Sequence, residues 1–303
     1  MKQYFVLDIG GTDIKYALMN ENAEIIFSSK HPTIHNINYQ LFLEIIDEII
    51  NPYLETISGI AISMPGRINV KTGYAYSSGA LGYLSNLNIK ELFEERYHKT
   101  TFVENDGKAC ALAELWKGNL QGVDNGVVLV LGTAIGGGII INGRLYRGFN
   151  QAAGEFSAIC VDFKPPMTHH SYWALLSGSL GGLVLPFQNA LNLPKEKANG
   201  KEFFALLKEN NPICIEIFDQ YIINLVTGIY NLQTILDVQR FCIGGGISAQ
   251  DCLIEAIQKA SDAYYEQTKD SLPMVKPEIE RCKFNNDANL IGALKNFLDQ
   301  NQQ

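Results

Sequence analysis

Three glycine-rich turns, each placed directly after an apolar run, have the residue types that suit phosphate binding. They contain Gly10, Gly11 and Thr12 in the first turn, Thr133, Gly136 and Gly137 in the second, and Gly245 and Gly246 in the third. Glycine lets backbone amides approach an anion closely, and a threonine hydroxyl adds a donor. One Gly-Gly turn alone is more often a plain hairpin, but three together favour phosphate binding. Asp8, just before the first turn, could organise Mg²⁺ and its waters.

A polar pair, Asn105-Asp106, stands between a short apolar strand and a helical segment that starts near Gly107. At the carboxyl edge of a sheet this pair would face the cleft in which α/β proteins bind ligands. Asp106 could then receive the proton of a hydroxyl group during phosphoryl transfer. The same residues also fit a helix N-cap. A carboxylate could serve both roles only if another residue satisfied the cap.

The common nucleotide-binding motifs are missing from this sequence. It contains neither G-x-x-x-x-G-K-[ST] nor a G-x-G-x-x-G after the first apolar run, which argues against a P-loop or a Rossmann site.

The bulk composition fits a folded protein of two lobes. The chain has 303 residues, 47% of them hydrophobic and 18% charged, and a formal net charge of −8. An acidic surface disfavours nucleic acid and anionic membranes as partners. We find no apolar run of about eighteen residues and no signal peptide, and therefore expect a cytoplasmic protein with no membrane span. The six cysteines lack any C-x-x-C pair, which favours reduced thiols.

The order of predicted elements indicates an α/β protein with an internal duplication. Strands are predicted at residues 4–9, 14–19 and 23–27, and again at 127–131, 136–141 and 144–146. Asn142-Gly143 is a strong hairpin signal in the second set. Helices are predicted at 39–50, 89–97 and 107–116, and the chain beyond residue 150 is mostly helical, with one more strand at 240–243. Glycines between residues 114 and 125 indicate the hinge.

Taken together and in order, the motifs resemble the ROK family of bacterial sugar kinases. The matching pieces are LDIGGTDIKYAL, SMPGRIN, VENDGKACALAE, LGTAIGGGIIINGRLYRG, AGEFS, FCIGGGIS and NNDANLIGAL. The resemblance implies a two-lobed α/β fold of the actin-like ATPase (ribonuclease H-like) class with a duplicated β-hairpin/αβ core. It implies a small lobe at residues 1–115, on which a C-terminal helix at about 286–303 packs back. The large lobe would span 116–285 and hold the adenosine site.

The same resemblance implies an ATP- and Mg²⁺-dependent carbohydrate kinase and assigns roles to particular residues. Asp106 becomes the general base for a sugar hydroxyl, and Asp8 lies near the metal. Sugar ligands would be Gly66, Arg67, Asn105 and Glu155, and the nucleotide side would comprise Gly10, Gly11, Thr12, Thr133, Gly136, Gly137, Gly245 and Gly246.

Three departures from the family pattern concern the far end of the sugar. The family histidine after Gly-Glu is Ala158 here, and the zinc motif is absent, leaving Cys160, His169 and His170. Zinc needs four well-placed ligands, so we expect no structural zinc. Trp173 stands where the family has a second sugar-binding glutamate.

These departures suggest a particular substrate class. Losing two polar ligands and gaining an indole makes the anomeric end of the site apolar, which suits a substituted sugar such as a β-glucoside, phosphorylated on its 6-hydroxyl. Alternatively, Trp173 only fills the space that zinc has left.

Other functions stay open at this point. The chain could phosphorylate free glucose or N-acetylmannosamine, or act as a non-catalytic sugar sensor. A sugar-responsive repressor is disfavoured because the first strand begins at about residue 4, which leaves no room for a DNA-binding helix-turn-helix. A homodimer is expected only by analogy with the family.

Overall fold

A computed structural model of the chain describes residues 1–162 and 172–302. By their internal contacts the residues form two compact units. Unit 1 comprises Met1–Lys117, Leu145–Ala153 and Asp287–Gln303, and unit 2 comprises Gly118–Arg144 and Gly154–Asn286. The first boundary lies two residues from the expected one. The expected large lobe includes the segment Leu145–Ala153, but the contacts of this segment place it in unit 1.

The described elements alternate between strands and helices along most of the chain. The strands are β1 (Gln3–Ile9), β2 (Asp13–Asn20), β3 (Ile25–Pro32), β4 (Ile60–Met64), β5 (Ile68–Asn69), β6 (Tyr74–Ala75), β7 (Leu87–Asn88), β8 (Thr101–Asn105), β9 (Gly126–Leu131), β10 (Ile135–Ile141), β11 (Arg144–Tyr146), β12 (Arg240–Gly244) and β13 (Glu278–Arg281). The α-helices are α1 (Tyr39–Ile50), α2 (Ile89–Tyr97), α3 (Asp106–Lys117), α4 (Trp173–Ser177), α5 (Leu185–Ala190), α6 (Gly200–Lys208), α7 (Pro212–Leu236), α8 (Asp251–Thr268) and α9 (Ala288–Gln300).

The two large sheets have the same topology, which confirms the predicted α/β duplication. The first sheet has the order β3-β2-β1-β4-β8 and the second the order β11-β10-β9-β12-β13. In each sheet the first strand in the chain is central, pairs antiparallel with its hairpin partner and pairs parallel with a later strand. Each of these two central strands ends at a glycine turn.

The core of unit 1 explains why its elements form where they do. Nearly all residues of β1 are buried, because β2 and β4 flank it on both edges, whereas β3 is an exposed edge strand. Helix α1 packs its apolar stripe into this core. The Asn38 side chain caps the helix by accepting a hydrogen bond from the Leu41 amide at 2.9 Å. Asn51-Pro52 ends it, as the sequence predicts.

Helix α9 packs within unit 1 against α3, β4 and β8. The contact with α3 is a close approach of the two backbones, because a Cβ on Gly292 would lie only 1.7 Å from the carbonyl oxygen of Ala109. The last helix therefore completes the layer that covers the first sheet.

Helix α7 is the longest described element of unit 2. By length and composition alone it could cross a membrane, although we predicted no such segment from the sequence. Half of its apolar stretch is buried inside the protein, and the helix contacts α4, α5, α6 and α8. Packing in unit 2 therefore accounts for the buried half of this stretch.

Trp173 packs directly against α7. Its side chain has no exposed surface, and its indole Nε1 donates to the carbonyl oxygen of Asn224 at 3.3 Å. A Cβ on Gly228 would lie 2.0 Å from Cζ2 of this indole. The glycine is therefore what lets the ring lie on the helix.

This contact predicts the sign of a stability change. An alanine in a helix interior normally stabilises by up to about 1 kcal/mol relative to glycine. Gly228→Ala should instead lower the free energy of unfolding by about 1–3 kcal/mol, because its methyl group overlaps the indole. Urea unfolding measures the change. Gly82→Ala is the matched control, since a Cβ at Gly82 meets no atom within 4 Å. A stabilised Gly228→Ala variant would show that the contact is wrongly placed.

Candidate active site

The first glycine turn joins β1 to β2 and is held closed by hydrogen bonds. The Gly10 amide donates to the carbonyl oxygen of Asp13 at 3.0 Å. Thr33 holds the turn from the end of β3: its hydroxyl donates to the carbonyl of Gly10 at 2.7 Å and its amide to that of Thr12 at 2.9 Å. Gly11 and Thr12 are exposed. The turn thus presents a braced backbone and a hydroxyl group to solvent.

Asp8 lies at the end of β1, just before this turn, and is only 5% exposed. Its Oδ1 accepts hydrogen bonds from the Ser63 hydroxyl at 3.0 Å and from the Asn289 amide at 3.1 Å. Burial raises the pKa of this carboxyl, while Lys15 and the two donors act in the opposite direction. Asn289 was not singled out from the sequence, although it belongs to the quoted NNDANLIGAL motif.

The surroundings of Asp8 fit a role next to Mg²⁺. A buried carboxylate is costly to ionise, and a divalent cation nearby would offset that cost. Mg²⁺ usually keeps several waters and needs only one or two protein carboxylates beside substrate phosphates. One carboxylate next to the first glycine turn would therefore be sufficient for an ion bound together with phosphate groups.

The raised pKa of Asp8 predicts how its replacement changes stability with pH. The folded protein holds the proton of Asp8 more tightly than the unfolded chain does. Its contribution to stability is therefore complete below 3.8, the ordinary pKa of an aspartate, and is lost as the pH rises through the folded value. Asp8→Asn should raise the free energy of unfolding at pH 7, by about 1.4 kcal/mol for each unit by which the pKa is raised.

This gain in the free energy of unfolding should disappear near pH 3, where the carboxyl group of the wild type and the amide of the variant are both neutral. Urea unfolding at a series of pH values measures it. A variant that is less stable than the wild type at pH 7 would contradict the assigned direction.

Asn105 and Asp106 lie where β8 passes into α3. Asn105 is the helix cap: its Oδ1 accepts from the Lys108 amide at 3.1 Å. Its Nδ2 donates to the carbonyl of Gly66 at 2.9 Å and to Oδ1 of Asp106 at 3.0 Å. The Gly107 amide also donates to Oδ1 of Asp106, at 2.8 Å. Because Asn105 supplies the cap, the half-buried carboxylate of Asp106 is compatible with the second role, that of a base.

A buried ion pair fixes the strand end that carries Asp106. Glu104 is 1% exposed, and its Oε1 accepts from the Asn105 amide at 2.9 Å. Its Oε2 accepts two hydrogen bonds from the guanidinium of Arg147, at 2.9 and 2.7 Å. Arg147 also donates to the Asn296 side chain at 3.2 Å. This network joins the three chain segments of unit 1 and was not predicted from the sequence.

Replacing Arg147 should lower the stability of the protein. Arg147→Met leaves Glu104 buried without a counter-charge and should lower the free energy of unfolding by about 3–5 kcal/mol. The double variant Glu104→Gln/Arg147→Met should recover part of this loss, because no buried charge then remains unpaired. Urea unfolding of the single and double variants measures both effects.

Lys276→Met is the control, since the Lys276–Asp262 pair is exposed and should contribute at most about 1 kcal/mol. If Arg147→Met cost no more than this control, the ion pair would not be holding the strand end.

Gly66 and Arg67 follow β4 and are joined to the same strand end through Asn105. Gly66 has φ +99°, and a Cβ there would lie 2.1 Å from the carbonyl oxygen of Ser77. The Arg67 amide donates to the Ser77 hydroxyl at 3.0 Å. The Arg67 guanidinium lies 3.9 Å from the ring centre of Tyr76. Its Nη1 donates to Oδ1 of Asn150 at 2.7 Å. Both predicted residues are therefore held rigidly.

In unit 2 the second and third glycine turns are brought together. Gly245 has φ +93°, and a Cβ there would lie 2.3 Å from the carbonyl oxygen of Leu131, so only glycine allows this approach. The carbonyl of Gly132 accepts from both the amide and the hydroxyl of Ser179, each at 2.8 Å. Thr133 is exposed at the tip of its turn.

A cavity of about 430 Å³ opens beside the third turn. Its lining residues are Asn199, Gly200, Lys201, Phe204, Gly246, Ile247 and Gln250. The volume is in the range of small-ligand sites. The α6 residues that line this cavity were not predicted from the sequence as part of a site. Nothing in their local sequence places them beside a turn more than forty residues later.

Glu155 lies in unit 2, next to the second hairpin. Gly154, with φ +86°, approaches Gly137 so closely that a Cβ would lie 2.9 Å from the Gly137 carbonyl oxygen. The Phe156 ring is buried under Gly137, whereas Glu155 and Ala158 are exposed. Gly137 thus serves as a packing position within β10, whereas a Cβ on the neighbouring Gly136 would meet only Val130, at 3.9 Å.

Trp173 differs from the expectation of a stacking surface. Its complete burial against α7 leaves no face of the indole for a ligand. Its position therefore fits the alternative, in which the ring fills space inside unit 2. Of the three residues considered for zinc, Cys160 donates from its thiol to the carbonyl of Asp162, and His169 and His170 lie outside the described residues. Within residues 1–162 and 172–302 no three His, Cys, Asp or Glu side chains form a metal-binding group.

The predicted site residues divide between the two units. Unit 1 holds Asp8, Gly10, Gly11, Thr12, Gly66, Arg67, Asn105 and Asp106, and unit 2 holds Thr133, Gly136, Gly137, Glu155, Trp173, Gly245 and Gly246. Within unit 1, hydrogen bonds link Asn105 to Gly66 and to Asp106, and Arg67 follows Gly66 directly. Within unit 2, close backbone contacts link the two glycine turns.

Comparison with known proteins identifies the family. The model of the ROK family matches residues 4–300. A beta-glucoside kinase of Listeria innocua is 31% identical over 97% of this chain and 96% of its own. A glucokinase of Halalkalibacterium halodurans is 28% identical over 96% and 93%. The structure of a ROK family protein from Streptococcus pneumoniae in complex with sucrose superimposes with a TM-score of 0.87, at 28% identity and over 99% of both chains. The chain therefore belongs to the ROK family and is a carbohydrate kinase of the actin-like ATPase fold.

Proposed function

We propose that the protein transfers the γ-phosphoryl group of ATP to the 6-hydroxyl of a hexoside, most suitably a β-glucoside. The observation that carries this proposal is the carboxylate of Asp106 at the start of α3, where Asn105 supplies the helix cap. At this strand end, next to a residue that supplies the helix cap, the carboxylate of Asp106 is placed to take the proton of a hydroxyl group.

Each unit contributes a separate part of the proposed reaction. In unit 1, Gly11 and Thr12 form a braced turn with donors for phosphate oxygens, and Asp8 lies beside it. In unit 2, the turn at Thr133 and the cavity beside Gly246 suit the remaining phosphates and the nucleoside. Mg²⁺ bound with the nucleotide would neutralise charge on the phosphates.

Asp106 acts as the general base in this mechanism. The primary hydroxyl of the sugar donates a hydrogen bond to its carboxylate and attacks the γ-phosphorus in line. The new O–P bond forms as the bond to the ADP oxygen breaks, and the hydroxyl proton passes to Asp106. Asn105, Gly66 and Arg67 orient the sugar from the same unit, and Glu155 is the sugar ligand that unit 2 would supply.

The β-glucoside substrate is supported by two observations. The Listeria innocua relative carries that activity in its name. Ala158 also removes the polar group that the family pattern places at the anomeric end of the sugar. Trp173 no longer supports the choice, because it is buried. Phosphorylation of free glucose is the second candidate, favoured by the similarity to a glucokinase. A cytoplasmic location, where ATP is available, belongs to the same proposal.

The role of Asp106 is tested by one substitution. A positioned base contributes about 10²–10⁴-fold to a rate, so Asp106→Asn should lower kcat by that factor. The variant should still fold, because the cap at Asn105 is intact. ADP release, measured over free hexoses, amino sugars and β-glucosides, reports the activity.

Asp262→Asn, at an exposed position of unit 2, is the control. Wild-type turnover by the Asp106 variant would refute the assignment, and no turnover of any sugar by the wild type would favour a non-catalytic sensor.

A further inference from the structure

Serine hydroxyls hold the second glycine turn at both of its ends. At the start of the turn, the carbonyl oxygen of Gly132 accepts a hydrogen bond from the hydroxyl of Ser179 at 2.8 Å. At its end, the hydroxyl of Ser157 donates to the carbonyl of Ile135 at 2.8 Å and accepts from the amide of Ile135 at 3.0 Å. We call Ser157 and Ser179 the serine clamp.

The segment that carries Ser179 is fixed directly against the turn. Ser179 follows Gly178, and a Cβ on Gly178 would lie 2.6 Å from the carbonyl oxygen of Thr133. Two residues before Ser179, the carbonyl of Ser177 accepts from the hydroxyl of Tyr221 on α7 at 3.0 Å. The longest helix of unit 2 therefore anchors one side of the clamp.

Ser157 reaches the turn from the segment that carries Glu155. Its neighbour Phe156 is buried, and the ring lies under Gly137 of β10. The amide of Ala158 donates to the carbonyl of Glu155 at 3.1 Å, which closes a short turn around Ser157. The clamp therefore links the proposed sugar ligand and the second glycine turn within unit 2.

The first glycine turn has a contact of the same kind. Gly10 follows the central strand β1, as Gly132 follows the central strand β9. The carbonyl of Gly10 accepts from the hydroxyl of Thr33 at 2.7 Å. In each half of the duplicated fold, a hydroxyl from a later segment thus holds the first carbonyl after the central strand. The repetition indicates a task that the two turns share.

The hydroxyl bonds leave equivalent groups free in both turns. Within the part of the chain that the structure describes, two backbone amides of each turn donate to no acceptor, and their residues are exposed: Gly11 and Thr12 in the first turn, Thr133 and Ala134 in the second. Two adjacent amides on a fixed backbone can bind a phosphate oxygen. A turn with unheld carbonyls could instead rotate a peptide and present an oxygen, which repels phosphate.

We propose that Ser157 and Ser179 are positioning residues for the nucleotide. By holding the carbonyls at the two ends of the second turn, they keep the amides of Thr133 and Ala134 available to the phosphates of ATP. The serines act through the backbone of the turn and need no contact with the nucleotide. The inference rests on the proposed ATP-dependent function and adds two residues to its phosphate site.

Binding of MgATP in the absence of sugar tests the clamp. Ser179→Ala removes the hydroxyl but keeps the bond from the Ser179 amide to Gly132, so the variant should fold. One such hydrogen bond is worth about three- to tenfold in a binding constant. Titration calorimetry should therefore give a Kd for ATP that is raised by this factor in Ser179→Ala and in Ser157→Ala. The Kd of adenosine, which has no phosphate, should be unchanged.

Two further variants are matched controls. Ser179→Thr keeps the hydroxyl, as Thr33 does in the first turn, and should restore the wild-type Kd for ATP. Ser261→Ala removes a buried hydroxyl of unit 2 that contacts Tyr230 rather than a glycine turn, and it should leave this Kd unchanged.

The outcomes separate the clamp from the kinase function. An unchanged Kd for ATP in both alanine variants would overturn the clamp and leave the kinase intact. An equal loss of affinity for ATP and adenosine, or a loss that Ser179→Thr does not restore, would also overturn it. A wild type that binds ATP but phosphorylates no sugar would refute the proposed function, while the affinities for ATP and adenosine still decide on the clamp. A wild type that does not bind ATP would refute both.

Discussion

The carboxylate of Glu104 is buried in unit 1, and a buried charge is tolerated only when its oxygens are paired. One oxygen accepts from the Asn105 amide and the other from Arg147. The strand end that presents Asp106 therefore cannot shift without leaving a charge unpaired. Arg147 also fixes the segment that carries Phe149 and Asn150. The position of the proposed base and that of this segment thus depend on the same ion pair.

Two carboxylates of unit 1 have opposite environments, and the difference suits different tasks. Asp8 is almost fully buried, and its pKa is raised by that burial. This favours a role beside a cation and makes the residue a cost to stability at neutral pH. Asp106 is half-buried at the N-terminal end of α3, where the Gly107 amide donates to its Oδ1. This partly accessible position suits the general base that we propose.

Local patterns predicted much of this fold and part of the site. The hairpins, the bounds of α1 and the strand-to-helix step at Asp106 follow from apolar periodicity and turn residues. The choice between a helix cap and a general base for Asp106 did not follow from local patterns, because it depends on where the side chain of Asn105 points. The placement of Arg147 depends on a partner 43 residues away. The sequence left open whether Trp173 contacts the substrate or fills space, because the direction of the ring depends on Gly228 on another helix. These are tertiary contacts that no local pattern contains.

The segments of unit 1 are separated by long stretches of chain, which has a consequence for folding during synthesis. Glu104 leaves the ribosome before Arg147, and Asn296 follows Arg147 by 149 residues. Contacts of such separation form slowly, because long loops must close first. Until the last helix is made, the first sheet lacks α9, and the network around Glu104 is incomplete. The strands of the first sheet are thus synthesised before unit 2, yet the unit to which they belong is completed after it. The nascent chain therefore passes through a stage in which the surface that α9 covers on the first sheet is exposed, and exposed apolar surface of this kind favours aggregation.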